Sequence, residues 1–290
     1  MKRLLITGSS GFIGRNLVEA FKGRYELITP GRFKLDLGDV SALREYLKRV
    51  KPDVLIHCAN SSDTNRNVPK GSFLAENLRM FFALESLLGE YYEKMIYFGS
   101  GAEFGKKHYL PRMEEDYFGL HVPDGEDEYG LAKYVMAKHG EKAEGIFNLR
   151  LFGVFGKYEM WSRRFISNAI CRVLKGKPLV IRENKAFDYL WVEDLGPIVE
   201  LFIEGRPRHK SYNVCTGKTH ELKEIAAMVC EVLGVPKSFE VLSEGGAEYS
   251  GSNRRLLSEF KVAFTDMETA VGKLCEYYKE RIDEIDENLL

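Results

Sequence analysis

The stretch Thr7-Gly8-Ser9-Ser10-Gly11-Phe12-Ile13-Gly14 follows directly on the apolar run Leu4-Leu5-Ile6 and opens an amphipathic segment. A strand, a glycine turn and a helix N-terminus in that order set backbone N–H groups and a helix dipole against a dinucleotide pyrophosphate. Each glycine has its own task in this reading. Gly8 turns the chain out of the strand, Gly11 keeps a Cβ away from the phosphate, and Gly14 lets the helix lie close on the sheet. Ser10, Phe12 and Ile13, between the glycines, belong to the same expected cradle.

Outward from this turn, strand-like runs alternate with helical ones, which predicts parallel βαβ units. Strands are expected at Arg3–Thr7, Glu26–Thr29, Val54–Cys58, Lys94–Gly99 and Ile146–Leu151. Helices are expected at Ile13–Phe21, Val40–Arg49, Phe73–Leu88 and Tyr129–Glu141. Right-handed crossovers then cover both sheet faces and leave ligands at the carboxyl ends of the strands. The expected fold is an α/β, Rossmann-type doubly wound parallel sheet over residues 1–155, with 186–216 returning to it. A smaller, interwoven substrate-binding region takes 156–185 and 217–290. In that second half, Phe165–Leu174 reads as a helix and Leu179–Arg182 as a strand. Asp188–Val192 and Tyr212–Val214 read as strands able to rejoin the main sheet. Thr219 is the expected cap of a helix Glu221–Leu233, which stops at Gly234 with Pro236 beyond. Thr265-x-x-Glu268 reads as a capping box before a last helix.

The 290 residues carry a formal net charge of −1, so nothing in the balance calls for nucleic acid or another polyanion. The five cysteines are scattered without metal-ligand or redox spacing, and no metal is expected. A strand expected from Arg3 leaves no space for a signal peptide, and no apolar run approaches membrane-spanning length. A cytoplasmic protein without membrane contact is the expectation.

Tyr129-Gly130-Leu131-Ala132-Lys133 begins a helical pattern whose i,i+4 spacing puts a phenol and an ammonium on one face. A nearby ammonium favours the phenolate and moves a tyrosine toward useful acid–base range. Tyr134 and Lys138 make the same spacing, and about 140° of helix rotation separates the two tyrosines, so one pair at most faces a given cleft. Ser100, at the carboxyl end of Lys94–Gly99, is able to hydrogen-bond the oxygen that the tyrosine protonates. Taken alone it is an ordinary turn serine.

With these residues in place the chain resembles the extended short-chain dehydrogenases/reductases, the nucleotide-sugar epimerase/dehydratase group. The resemblance runs over nearly its whole length. It rests on Thr7-Gly8-x-x-Gly11-x-x-Gly14, Asp36-Leu37, Lys51-Pro52-Asp53-Val54-Leu55-Ile56-His57-Cys58-Ala59, Asn77, Ser100, Tyr129-x-x-x-Lys133, Asp188-Tyr189-x-x-x-x-Asp194 and Tyr212-Asn213-Val214-x-Thr216-Gly217. By that likeness Ser100, Tyr129 and Lys133 are the catalytic group. Tyr129 relays the proton, Lys133 tunes it and holds the ribose, and Ser100 orients the reacting oxygen. Asp36 and Leu37 border the adenine, Ala59 lines the cofactor cleft and Asn77 supports it. The resemblance also implies a homodimer through the helices at 73–88 and 129–141, whose outer faces would carry Phe81, Leu84, Tyr134 and Val135. The alternative is that these side chains belong to the monomer core.

Departures from the family pattern narrow the chemistry. Sugar 4,6-dehydratases carry Asp and Glu one and two places after the catalytic hydroxyl. Here those places hold Gly101 and Ala102, and the acid that decarboxylating members need is missing as well. GDP-fucose synthases use a Cys at the Ala102 place and a His near Arg164, and both are absent. Reduction of a 4-keto sugar or 4-epimerisation through a transient ketone remains. The Arg that clasps the nucleotide diphosphate is Phe187 here, and the usual Asn in the strand after the catalytic helix is Gly153. Substitutes are sought among Arg163, Arg164, Arg182, Lys185, Arg254 and Arg255, with Arg164 and Arg254 as the chosen pair.

NAD-binding versions place an acid after the second strand. Thr29-Pro30-Gly31-Arg32 has none, and Arg32 suits a 2′-phosphate, so NADP(H) is expected ahead of NAD(H). Two readings compete with a nucleotide-sugar 4-ketoreductase or 4-epimerase. One is a dehydrogenase of a small non-nucleotide alcohol or ketone. The other is a non-catalytic NAD(P)-binding sensor.

Overall fold

The computed structural model describes residues 1–31, 33–61 and 72–290. The chain runs through β1 (Arg3–Thr7), α1 (Phe12–Phe21), β2 (Glu26–Ile28), α2 (Val40–Val50), β3 (Val54–His57), α3 (Phe73–Glu85), β4 (Lys94–Ser100), α4 (Glu128–Gly140) and β5 (Ile146–Leu151). Then come β6 (Gly153–Phe155), α5 (Phe165–Leu174), β7 (Leu179–Ile181), β8 (Ala186–Phe187), β9 (Tyr189–Trp191), α6 (Leu195–Glu204) and β10 (Ser211–Val214). The chain closes with β11 (His220–Glu221), α7 (Leu222–Leu233), β12 (Phe239–Val241), α8 (Arg254–Glu259) and α9 (Met267–Lys279).

Six strands form one parallel sheet in the order β2-β1-β3-β4-β5-β10. Strand side chains alternate between faces, and here both faces are apolar. Leu4, Ile6, Val54, Ile56, Ile96 and Phe98 pack with Leu17 and Phe21 of α1 and with Ile198, Val199 and Phe202 of α6. Their neighbours Leu5, Leu55, Met95 and Tyr97 pack on the other side with Leu43 and Leu47 of α2, Phe81 and Leu84 of α3, and Met136 of α4. Phe81 and Leu84 are therefore core residues of the monomer, not members of an outer face. The strand order reverses between β1 and β3, so the ligand crevice of a doubly wound sheet falls at their carboxyl ends.

The second half builds its own core from α5, α7 and α9, with Ile166, Ile170, Ile225, Val229, Val271 and Leu274 packed against Phe155 and Trp191. Only β10 rejoins the main sheet. The expected strand at 188–192 instead supplies β9, which pairs in parallel with β6. The signature acids at its ends act as pins. Asp188 is fully buried and accepts from Thr216 N (2.9 Å), Thr216 Oγ1 (2.7 Å) and Gly217 N (2.7 Å). Asp194 accepts from Thr265 N and Oγ1 at 2.8 and 2.7 Å. Thr265 is thus held by Asp194, and the cap of α9 is Asp266, which accepts from Thr269 N. The cap of α7 is likewise Glu221, in a capping box with Glu224, and not Thr219. A carboxylate at the N-cap satisfies the same free N–H groups and adds a favourable interaction with the helix dipole.

A buried ion pair joins the central strands. Glu103 and Arg150 are 0% and 1% exposed, with Arg150 Nε 2.7 Å from Glu103 Oε2. Arg150 Nη1 donates to Asn213 Oδ1 on β10 (3.1 Å), and its guanidinium lies over the rings of Phe104 and Phe118. Removing one partner strands the other charge in the interior. Arg150→Met is therefore expected to cost about 3–5 kcal/mol, read from urea unfolding, and a loss below about 1 kcal/mol would contradict this reading.

Candidate active site

β4 carries Ser100 to the carboxyl edge of the sheet, where the chain enters a 3-10 turn over Gly101–Phe104. Ser100 caps that turn. Its Oγ accepts from Ala102 N at 3.1 Å, while its own backbone N–H donates to Glu103 Oε1 at 3.0 Å. The buried Glu103–Arg150 pair thereby fixes the backbone that presents the Ser100 hydroxyl.

Across from it, α4 starts at an Asp127 cap, whose carboxylate accepts from Gly130 N at 3.2 Å, and one turn of helix aligns Tyr129 with Lys133. Lys133 is buried. Its Nζ donates to the Phe98 carbonyl at 2.8 Å and lies 5.7 Å from the centre of the Tyr129 ring. The Ser100 hydroxyl lies close enough to the Tyr129 phenol to favour its ionised form. The second Tyr-x-x-x-Lys match goes elsewhere: Lys138 pairs with Glu141 at 2.7 Å and Tyr134 packs on Phe118. The helix face thus brings Ser100, Tyr129 and Lys133 together and turns Lys138 away.

Burial dominates the electrostatics here. It lowers Lys133 to about 8, against upward pulls from Glu103 and Cys58. It raises the Tyr129 phenol, which Ser100 and then Arg164 pull back down. His57 is held at about 3 by burial first and by Lys133 second, so its imidazole is neutral. Its Nδ1 pairs with Thr7 Oγ1 at 2.8 Å.

On the cofactor side, the glycine turn fits a dinucleotide. Gly8 sits at φ +64°, and a Cβ there would come 2.6 Å from Ala59 N, so the loops after β1 and β3 touch across the strand-order reversal. A Cβ on Gly14 would collide with the Gly8 carbonyl. Gly11 is the N-cap of α1 and offers no side chain to cap its first turn. Ser10 is exposed beside it, while Phe12 and Ile13 are half-buried and pack against the core. The first-turn N–H groups of α1 thus point into a cradle whose tightness excludes side chains, the arrangement a pyrophosphate needs.

Asn77 holds the cleft wall by a reciprocal pair with the Ser61 backbone (2.9 and 2.8 Å). Asp36 accepts from Gly38 N at 2.8 Å and lies 3.9 Å from Arg79, while Leu37 packs on the core. Arg32 lies outside the described residues.

The two arginines chosen for a diphosphate separate. Arg164 precedes α5 and its charge is felt by Tyr129, Tyr189 and Glu159. Arg254 is exposed and paired with Glu114 at 2.9 Å. Its neighbour Arg255 binds Asp116 and the Ser211 carbonyl. Lys185 pairs with Glu183 at 2.7 Å.

Sequence reading missed Tyr249, whose ring packs on Phe152 and Tyr109 and whose hydroxyl a Cβ on Gly101 would approach to 2.7 Å. It also passed over Glu103, although a charged residue between Ala102 and Phe104 at a strand end was a visible signal. Among the described residues there is no cluster of three or more metal-ligating side chains, and no helix is long and apolar enough to cross a membrane.

Residues 4–215 match the sequence model of the NAD dependent epimerase/dehydratase family. The chain belongs to that family. Similar to it is a GDP-L-colitose synthase from Yersinia pseudotuberculosis, 25% identical over 95% of this chain and 97% of its own. A GDP-L-fucose synthetase from Naegleria fowleri bound to NADP shares the fold at TM-score 0.83 and 16% identity, covering 97% of this chain and 94% of that one. A dTDP-glucose 4,6-dehydratase from Bacillus anthracis with NAD shares it at TM-score 0.80 and 16% identity, over 100% and 98% of the two chains. The family is described as NAD dependent, the Yersinia relative is named for a GDP sugar, and the two solved structures hold NADP and NAD.

Lys133 gives a pH test of the site. Its ammonium is unfavourable in the fold, so the cost is fully present below about pH 8 and is relieved as pH rises from 8 toward the ordinary 10.5, where only the unfolded chain still holds the proton. Over that window the wild type is expected to gain about 3 kcal/mol relative to Lys133→Met, measured by denaturant unfolding at each pH. A constant difference would contradict the buried, charged lysine.

Proposed function

We propose that the protein reduces the 4-keto group of a nucleotide-diphosphate sugar at the expense of NADPH. The single observation that carries this is the convergence of Ser100, Tyr129 and Lys133 at the sheet edge beside a side-chain-free dinucleotide cradle. When bound, the nicotinamide supplies the hydride for the carbonyl carbon. The chain's own residues do the rest. Ser100 donates to the ketone oxygen and holds it against Tyr129, whose neutral phenol gives the proton. Lys133 is fixed by the Phe98 carbonyl next to the phenol, where it also reaches a cofactor ribose. Arg164, beside the tyrosine, is the cation placed to meet the substrate diphosphate, and Arg254, engaged with Glu114, is the weaker choice.

Reduction is favoured over dehydration because the two positions after Ser100 carry no acid or base. Gly101 and Ala102 line the turn, and the one carboxylate that follows, Glu103, is spent on Arg150, Asn148 and the Ser100 backbone. The likeness to a GDP-L-colitose synthase supports a guanosine diphosphate sugar as the first substrate class to test. NADP(H) rests on the absence of an acid in Thr29–Arg32, with Arg79 at 3.9 Å from Asp36 as a further cation on that side. A homodimer in the cytoplasm is part of the same proposal.

The test is absorbance at the reduced-nicotinamide band with GDP-4-keto-6-deoxy sugars and excess NADPH or NADH. One cofactor oxidised per sugar is expected, with NADPH the better donor. Tyr129→Phe is expected to lower kcat by about 10²–10⁴-fold with cofactor binding kept. Interconversion of two 4-hydroxy sugars without net oxidation would replace the reductase reading with an epimerase.

A further inference from the structure

In the sheet order, β4 stands between β3 and β1 on one side and β5 on the other. Ser100, at the end of β4, therefore has the glycine turn to one side and the residues that follow β5 to the other. That second side is aromatic. Phe152, directly after β5, meets the Tyr249 ring at 5.3 Å, and Tyr249 also meets Tyr109 (5.0 Å) and Phe187 (6.1 Å). Phe187 in turn meets Tyr189 at 5.4 Å. All five rings are half-buried, so they form one continuous, partly open wall.

The wall stands hard against the reactive turn. A Cβ on Gly101, the residue after Ser100, would lie 2.7 Å from the Tyr249 oxygen and 2.8 Å from the Phe152 ring. A Cβ on Gly251 would run into the other edge of Phe152, and one on Gly153 would lie 2.8 Å from the Tyr189 ring. Three glycines thus leave space that the rings fill, and packing this close leaves them little to swing into. The backbone is fixed as well. Tyr249 N donates to the Ala186 carbonyl at 2.9 Å, and Asp188 N donates to the Tyr249 carbonyl at 3.0 Å. Met113 N donates to the Ser250 carbonyl and Ser252 N to the Met113 carbonyl, which ties the next residues to the loop before α4.

A ketone exchanges the faces it shows to a hydride donor by a half-turn about its C=O axis. In a 4-keto hexose that half-turn also exchanges two unlike ring carbons: C5 carries the exocyclic C6, and C3 carries no carbon branch. With the oxygen held at Ser100 and Tyr129, a fixed wall on one side of Ser100 accepts one arrangement and clashes with the other. We propose that Tyr249 and Phe152 determine the stereochemistry of reduction, admitting the 4-keto sugar in one orientation so that a single C4 epimer forms. This deepens the reading of the site as a 4-keto sugar reductase and rests on it. Hydride still adds to C4 and the Tyr129 proton to its oxygen, and only the face is at issue. Both aromatics are specificity-determining residues that orient the sugar ring and transfer neither proton nor hydride.

The experiment compares wild type, Tyr249→Ala, Tyr249→Phe and Phe152→Leu, with NADPH binding as the check that each is folded. The C4 epimers formed from GDP-4-keto-6-deoxymannose are counted by proton NMR. Wild type and Tyr249→Phe, which keeps the ring, are expected to give one epimer. Tyr249→Ala and Phe152→Leu are expected to lower the epimer ratio by about tenfold or more. Both epimers from wild type, an unchanged single epimer from Tyr249→Ala and Phe152→Leu alike, or equal losses in Tyr249→Phe and Tyr249→Ala would overturn the wall. Binding supplies a readout without turnover. Wild type saturated with NADPH is expected to bind one of GDP-mannose and GDP-talose, which differ at C4 alone, about tenfold more tightly, and Tyr249→Ala to narrow that gap. Equal affinities in wild type would overturn the wall. Unequal affinities that narrow in Tyr249→Ala, with no turnover of any 4-keto sugar by wild type, would keep the wall and reject the proposed reaction.

Discussion

The structure depends on one buried charge pair, Glu103 with Arg150, set beneath the reactive edge of the sheet. An ion pair so deep contributes little net stability, because desolvation offsets most of the attraction. What it does provide is connection. Glu103 accepts from the Ser100 backbone and from Asn148, and Arg150 donates to Asn213. Asn213 in turn donates its N–H to Glu115 and its side-chain amide to the Met113 and Ser252 carbonyls. The ends of β4, β5 and β10, the loop before α4 and the segment after Tyr249 are thus tied to one polar centre, and each polar atom enrolled makes the next harder to move.

The site inherits its order from this centre. Ser100 is held by its backbone N–H on Glu103 and caps the turn by accepting from Ala102 N, which leaves its O–H to donate. Lys133 carries the opposite burden: it is buried at a cost, which is the condition of keeping a cation beneath the Tyr129 phenol. The glycines at 8 and 14 make the cofactor's side of the same cleft by leaving no side chains in it.

Much of this was legible in local pattern. Short apolar runs alternating with helical stretches located all five strands of the first half within a residue or so, because strands of a sheet covered on both faces read as near-continuous apolar runs. The glycine turn and the i,i+4 pair at 129 and 133 are also local, and their spatial meeting with Ser100 follows from the fold they imply. The losses are long-range or marginal. Nothing near 189–191 says that its partner is β6, since three-residue strands choose by tertiary packing. Phe81 and Leu84 read equally as an outer stripe or as core until α4 is placed against α3. Tyr249 carries no local signal of its place beside Ser100, because a backbone clamp on β8 puts it there. The caps at Glu221 and Asp266 each sit one or two residues from the expected threonines, where several side chains are able to serve.

The account's central claim is that these hydroxyls and the lysine form a hydride-transfer site acting on a sugar carbonyl. It is tested most directly by following deuterium from cofactor labelled at the transferring carbon. One deuterium is expected on the sugar carbon that bore the carbonyl, equal in amount to the cofactor oxidised. Label that stays on the cofactor while the sugar is converted would contradict it.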